Sequence, residues 1–353
     1  MTDKASIPYL VYAPRLTGNS AGLRVLIRIT QLLSEAGLDA SLIIPKHRTA
    51  GTKLLQRFHG LKVADLGHLL TLDKAERNPI VVYPESIAGN PLNSANIARL
   101  VLNIPGMFGG DQRYGAHEMV FGYEDALTRM VDGLGTLKIE VVDRALFIPP
   151  PPGTPRTKTC FYAGKYRKLG GTTTGLPEGC IEILHEGPQA QSPKEIAALL
   201  QQSLALYTFE PTLLTTEAGL CGCPNVFVPN EHFIGSFGHH PYGEERTQAV
   251  LNDPGIFDAT AQEFAQRLDA ANAQMRAQLA FFIETTQTRA RERQQKNHLN
   301  FIVPKPSGRI KLREIFWFLL ELKRTCPERF TYVALRQLKK LRRRKNSLQY
   351  EYT

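Results

Sequence analysis

Apolar residues gather in short runs that alternate with stretches of helical spacing. Residues 8–14, "PYLVYAP", read as a short buried strand. After the polar loop "RLTGNSAG", the stretch "LRVLIRITQLLSEAG" places Leu23, Leu26, Ile27, Thr30 and Leu33 at helical intervals, with Gly37 positioned to end the helix. "LDASLIIP" is the next strand. A strand, loop, helix, strand order predicts a parallel sheet. "PIVVYPE" (79–85) is a buried strand followed by an acid, "ANIARLVLN" reads as a helix, "HEMVFGYEDALTRM" as mixed, and "IEVVDRALFIPP" as a strand reaching a proline-rich stop.

The run "PPPPGTP" (149–155) can continue no element and is the clearest linker signal in the chain. The alternation then restarts. "TCFYAGK" and "GCIEILHE" read as strands. "SPKEIAALLQQS" reads as a helix capped by Ser192, with Glu195 at capping-box distance. "LALYTFE" and "NVFVP" are strands, and 258–298 is one or two long helices. Two strand-and-helix halves joined by a linker predict a cleft between two sheets. The expected units are 1–150, 151–300 and a tail, 301–353.

A chain of 353 residues, 42% of them apolar, has enough material for two cores. "MTDKASIPYLVYAP" lacks a basic start followed by a long apolar run, so no leader is expected, and no window approaches the roughly 18 apolar residues of a membrane span. The five cysteines (160, 180, 221, 223 and 326) are odd in number and lack zinc-finger spacing, which predicts reduced thiols and a cytoplasmic location. The net charge of +10 is unevenly placed. Residues 305–353 hold 14 Lys/Arg against four acids, leaving a neutral body of 29 bases and 29 acids. A neutral body with a basic tail predicts a docking element rather than a nucleic-acid groove, and no nucleic-acid partner is expected.

The stretch 207–230, "YTFEPTLLTTEAGLCGCPNVFVPN", carries the main chemical signal. With the strand ending at Glu210 and a helix starting near Pro211, the amides of Thr212, Leu213 and Leu214 have no partner inside the helix and suit a diphosphate. Glu210 stands at the carboxyl end of a strand, where open α/β sheets bind ligands. Glu217, two turns on, is placed to accept hydrogen bonds from a ribose. On spacing alone, a plain strand–helix–strand unit with solvated acids fits equally well.

"EPTLLTTEAGLCGCPNVFVP" resembles the donor-site segment of GT-B glycosyltransferases of the retaining, EX7E-containing kind, although six residues rather than seven separate the two glutamates here. "YLVYAPRLTGNSAGLRVLIRITQLLSEAGLDASLII" resembles their first strand, glycine loop and first helix. "VVYPESIAGNPLNSANIARLVLNIPG" is similar to a segment of bacterial polysaccharide and lipopolysaccharide members, and "FYAGKYRKLGG" to the start of their second domain. The resemblance implies an α/β fold of two Rossmann-like domains facing a central cleft, with C-terminal helices. It implies a transferase moving a sugar from a nucleotide-sugar donor to a glycan or lipid-linked saccharide acceptor, with retention. Glu210 would contact the sugar and Glu217 the ribose. Gly18 and Gly22 would lie opposite the diphosphate, and Lys165, Arg167 and Lys168 are the candidates to hold it.

No "DxD" pattern is present, so metal independence is expected, and no cofactor. Glu85, after "VVYP", is expected to face the cleft, or else to act as a helix-cap acid. His117 in "YGAHEM" is the best histidine for meeting sugar or acceptor, against an ordinary structural role. Arg15 and Arg24 flank the glycine loop and could meet phosphate. Asn90 and Asn93 read as turn residues, and His239, His240, Glu244 and Glu245 as a loop rather than a metal cluster.

In the tail, "LREIFWFLLELK" (312–323) is expected to pack against the first domain. "YVALRQLKKLRRRKN" (332–346) is an amphipathic basic stretch expected to lie on an anionic membrane surface, at the cytoplasmic face of the membrane. Three other readings remain: an epimerase of nucleotide-sugars on the same fold, a nucleic-acid-binding protein using the tail, and a degenerate domain without activity.

Overall fold

A computed structural model describes residues 6–14, 20–44, 60–64, 66–185, 188–233, 244–293 and 296–299. Gly18, Arg15, His239, His240, the side chain of Glu244 and the basic tail lie outside the described residues.

The chain begins with β1 (Tyr9–Tyr12), α1 (Ala21–Glu35), β2 (Ala40–Ile43), α2 (Leu66–Lys74) and β3 (Ile80–Pro84). It continues through β4 (Asn96–Val101), β5 (Met119–Gly122), α3 (Asp125–Met130) and β6 (Gly135–Thr136). These strands form one parallel sheet in the order β2-β1-β3-β4-β5-β6. Ser20 caps α1, accepting from the Leu23 amide, and Gly37 follows the helix at φ 79°. One face of the sheet packs Leu26, Ile29 and Leu33 of α1 against Val11, Val82 and Phe121. The other face packs Leu69 and Leu72 of α2 against Leu10, Val81 and Tyr83.

The second half holds β7 (Lys158–Tyr162), α4 (Gly164–Lys168), β8 (Ile181–Glu182), α5 (Pro193–Gln201), β9 (Ser203–Thr208), α6 (Leu214–Leu220), β10 (Asn225–Phe227), α7 (Glu244–Asn252) and α8 (Phe257–Glu292). Its sheet, also parallel, has the order β10-β9-β7-β8. The capping box of Ser192 and Glu195 forms as its spacing predicts. The molecule is therefore α/β, with two parallel sheets and separate cores.

Three segments differ from the reading above. Residues 96–101 form a central strand, not a helix: every residue of "NIARLV" is buried, and burial on both faces erases the alternation that would mark a strand. Beyond the two-residue β6, residues 137–150 form no strand. Ile139 belongs to the first core and Phe147 to the second, so this stretch carries the chain from one to the other ahead of the prolines. Helix α6 begins at Leu214, three residues past Pro211.

The 36-residue α8 makes a second crossing. Phe257, Phe264 and Leu268 pack in the second core, while Leu279, Phe282 and Ala290 pack in the first. Residues 279–290 of the range assigned above to the second unit thus complete the core of the first.

Candidate functional site

In a parallel sheet the chain leaves each strand at the same edge. Where consecutive connections run outward in opposite directions, the loops part and leave a crevice. In the first sheet that point lies between β1 and β3, and in the second between β7 and β9. Glu85 directly follows β3. Lys165 stands in the first turn after β7, and Glu210 follows β9. The topology therefore brings three of the expected residues to two crevice mouths. Lys165 lies close enough to Glu85 and Glu210 for their charges to act on it.

Glu85 is buried, and its Oε2 accepts from the Leu102 amide at 3.0 Å. Burial raises its pKa above the ordinary carboxyl value, with hydrogen bonds and the Lys165 charge opposing. Glu210 is fully buried, and its Oε2 accepts from the Tyr166 amide at 2.7 Å, capping the five-residue α4. Its Oε1 is buried without a partner among the described residues. Burial also raises its pKa, against the pull of Lys165. The ammonium of Lys165 donates to the Pro211 carbonyl, and burial lowers its pKa. Lys165 thus stands between two acids, and the charge of Lys168 also reaches Glu210.

A second contact joins the halves. Glu217 on α6, almost wholly buried, accepts from Arg24 Nη1 on α1 at 3.1 Å. Burial raises its pKa and the Arg24 charge opposes. The carboxylate expected to meet a ribose is here held by an arginine expected near phosphate.

Other expected residues fall elsewhere. The Leu214 amide is met by the Thr212 hydroxyl at 3.3 Å, and the Thr215 and Thr216 amides by the carbonyls of Thr212 and Leu213. Of the three amides expected to meet a diphosphate, that of Leu214 is thus engaged within the turn itself, at the start of the seven-residue α6. Arg167 is turned to the edge strand, where Glu182 accepts from it at 2.8 and 3.1 Å. Lys168 is exposed, and its charge reaches Glu210. Gly22 lies inside the first turn of α1 beside Leu102 rather than in a loop. His117 is exposed; it precedes β5, and its carbonyl receives Arg293 Nη2 at 2.6 Å, which also binds Ala95 ahead of β4. That places His117 toward the amino edge of the sheet, away from Glu85. Asn90 and Asn93 sit in the 85–95 connection: Asn90 Oδ1 accepts from Tyr83 Oη and the Ser94 amide, and Asn93 adopts φ 53°.

Sequence reading missed Arg99. This fully buried residue on β4 donates to Glu118 and to the carbonyls of Ile87 and Gly89, and its guanidinium lies 5.1 Å and 5.4 Å from the ring centroids of Tyr83 and Tyr114. It ties the two long connections, 85–95 and 102–118, to β4. An arginine inside an apolar run was the available signal. Among the described residues no cluster of three His, Cys, Asp or Glu could hold a metal, and no helix is long and apolar enough to cross a membrane.

No protein-family model and no curated relative matches the sequence. Among solved structures, one described as T4 phage BGT in complex with UDP and Mn2+ is similar, with a TM-score of 0.44 and 10% identity, over 79% of this chain and 99% of that one.

Proposed function

We propose that the chain is a GT-B glycosyltransferase that moves a sugar from a nucleotide-sugar donor to a glycan or lipid-linked saccharide hydroxyl, with retention and without a metal. The observation that carries this reading is the placing of Glu85 at one sheet's crevice and of Lys165 and Glu210 at the other's, near enough to share charge. Crevices of this kind in α/β sheets bind nucleotides and sugars. The resemblance of 210–229 to a donor-site segment gives the second sheet the donor.

Glycosyl transfer needs a stabilised diphosphate leaving group and an acceptor hydroxyl aimed at the anomeric carbon. Lys165 supplies a desolvated cation for the diphosphate, where a charge-assisted hydrogen bond is strong. Arg24 supplies a second once it exchanges Glu217 for phosphate, and Glu217 then accepts from the ribose. Glu85, ionised, accepts a hydrogen bond from the acceptor hydroxyl and orients it. Retention leaves the departing phosphate oxygen to take the proton, so no protein nucleophile is required. The basic tail would hold the enzyme at the cytoplasmic face of a membrane carrying a lipid-linked acceptor.

The test is a thermal-shift panel of nucleoside diphosphates and nucleotide-sugars on the full chain and on Glu217→Ala. One nucleotide is expected to raise the melting temperature. Its affinity should fall roughly tenfold in the variant, the worth of one charged hydrogen bond. No shift with any nucleotide would remove this reading. Anomeric NMR of the product checks retention.

A further inference from the structure

The connection 102–118, which follows β4, contains features that donor binding does not use. It starts with the Leu102 amide on Glu85 Oε2. Gly106, Gly109 and Gly110 then adopt φ of 80°, 95° and 79°, a backbone that other residues rarely take. Gly110 packs so closely on Glu85 that a Cβ there would lie 1.8 Å from the Glu85 carbonyl oxygen. The loop thus meets Glu85 twice, at its carboxyl through Leu102 and at its main-chain carbonyl through Gly110. Met107 packs against the apolar cluster of Phe161, Tyr166, Phe209 and Phe233 beneath the second crevice. Its neighbour Phe108 is a large hydrophobic residue left 37% exposed. Further along, the Tyr114 hydroxyl is buried with no hydrogen-bond partner among the described residues. Burial, with the Glu85 charge second, pushes its pKa up to about 12.

We infer that Phe108, Tyr114 and Glu85 form the acceptor subsite and that its occupant is a pyranose. This rests on the transferase reading and names the acceptor class for the same site. A phenol hydroxyl closed off without a partner leaves a hydrogen bond unmade, which a ligand hydroxyl supplies. A carboxylate beside it accepts from a second hydroxyl. An aromatic face, negative at its centre, suits the C–H side of a sugar ring. A pyranose presents a hydroxyl rim and an apolar face together.

Saturation-transfer NMR on the full chain with methyl α-D-glucopyranoside and its manno and galacto epimers tests the assignment. It would be run with and without the stabilising nucleotide. At least one glycoside is expected to bind. Phe108→Ala should weaken it tenfold or more, Phe108→Tyr should restore it, and Tyr114→Phe should weaken it several-fold, with the nucleotide thermal shift unchanged throughout. Binding that is equal in Phe108→Ala, Tyr114→Phe and wild type overturns the subsite, as does the failure of every glycoside. Glycoside binding without any nucleotide shift would keep the subsite and remove the donor reading, so the two fail separately.

Discussion

Glu85, Glu210 and Glu217 are all acids taken out of water, and burial raises the pKa of each. A raised carboxyl pKa means that the folded chain keeps a proton the unfolded chain has lost. Stability from that group is present below the ordinary carboxyl value near ~4.3 and is lost as pH rises through the folded value. Glu85→Gln keeps an acceptor for Leu102 and cannot ionise. Its stability relative to wild type should therefore improve with rising pH, by at most ~1.4 kcal/mol per pH unit, within the window between the ordinary and raised values. Urea unfolding of both proteins from pH 4 to 8 measures this, and a flat difference would refute it. Transfer should fall in the variant, and the wild-type acid limb should lie above the ordinary carboxyl range because Glu85 must be ionised to hold the acceptor. The positions of Glu85 and Glu210 were legible in the sequence, since each directly follows an apolar run and parallel strands all release the chain at one edge. The pairing of Arg24 with Glu217 was not: the two lie 193 residues apart, and a single chain shows no spacing that joins them.

Element types were legible where one face of the element is wet. Helix α1 and the capped α5 followed their periodicity and caps. Strand β4 did not, because both its faces are buried and its five-residue core "IARLV" carries neither period. Arg99 inside that strand explains how two connections without helices can join parallel neighbours. Its guanidinium replaces, with donors to the Ile87 and Gly89 carbonyls and to Glu118, the contacts a crossover helix would make with itself. Arg99→Met should take the donor from the Ile87 and Gly89 carbonyls and the cation from the Glu118 carboxylate, at a cost of about 3–5 kcal/mol. Denaturant unfolding gives the value. Acceptor transfer should suffer more than nucleotide binding, since the 102–118 loop loses its anchor while β7 and β9 do not. Equal losses in both would show that Arg99 supports the whole fold rather than this loop.

Across the molecule the two cores are tied by two lines that run side by side. The Lys138 amide donates to Gln278 at 3.0 Å, and Arg144 pairs with Asp269, so the first crossing lies antiparallel along α8. At 1.5 Å per residue α8 is about 54 Å long, and it has no break between Phe264 in one core and Phe282 in the other. The sequence showed two halves and a linker at the prolines. It did not show the return, because a long amphipathic helix carries the same stripe whichever core receives it. A helix that contributes to both cores couples their unfolding, since melting one half removes the stem on which the other half packs. Calorimetry should therefore show one transition rather than two. Phe282→Ala, which empties a fully buried site against Tyr9 and Phe121, should cost about 3–5 kcal/mol. Phe264→Ala, in the second core, should move the same transition downward. Each substitution splitting the trace into a shifted and an unshifted peak would show that the halves unfold independently and that α8 yields between them, in the exposed stretch Asp269–Ala271. Saturating nucleotide should raise the single transition in wild type and in Phe282→Ala alike, because the ligand grips residues from both sheets and the cost of the cavity lies outside the crevices.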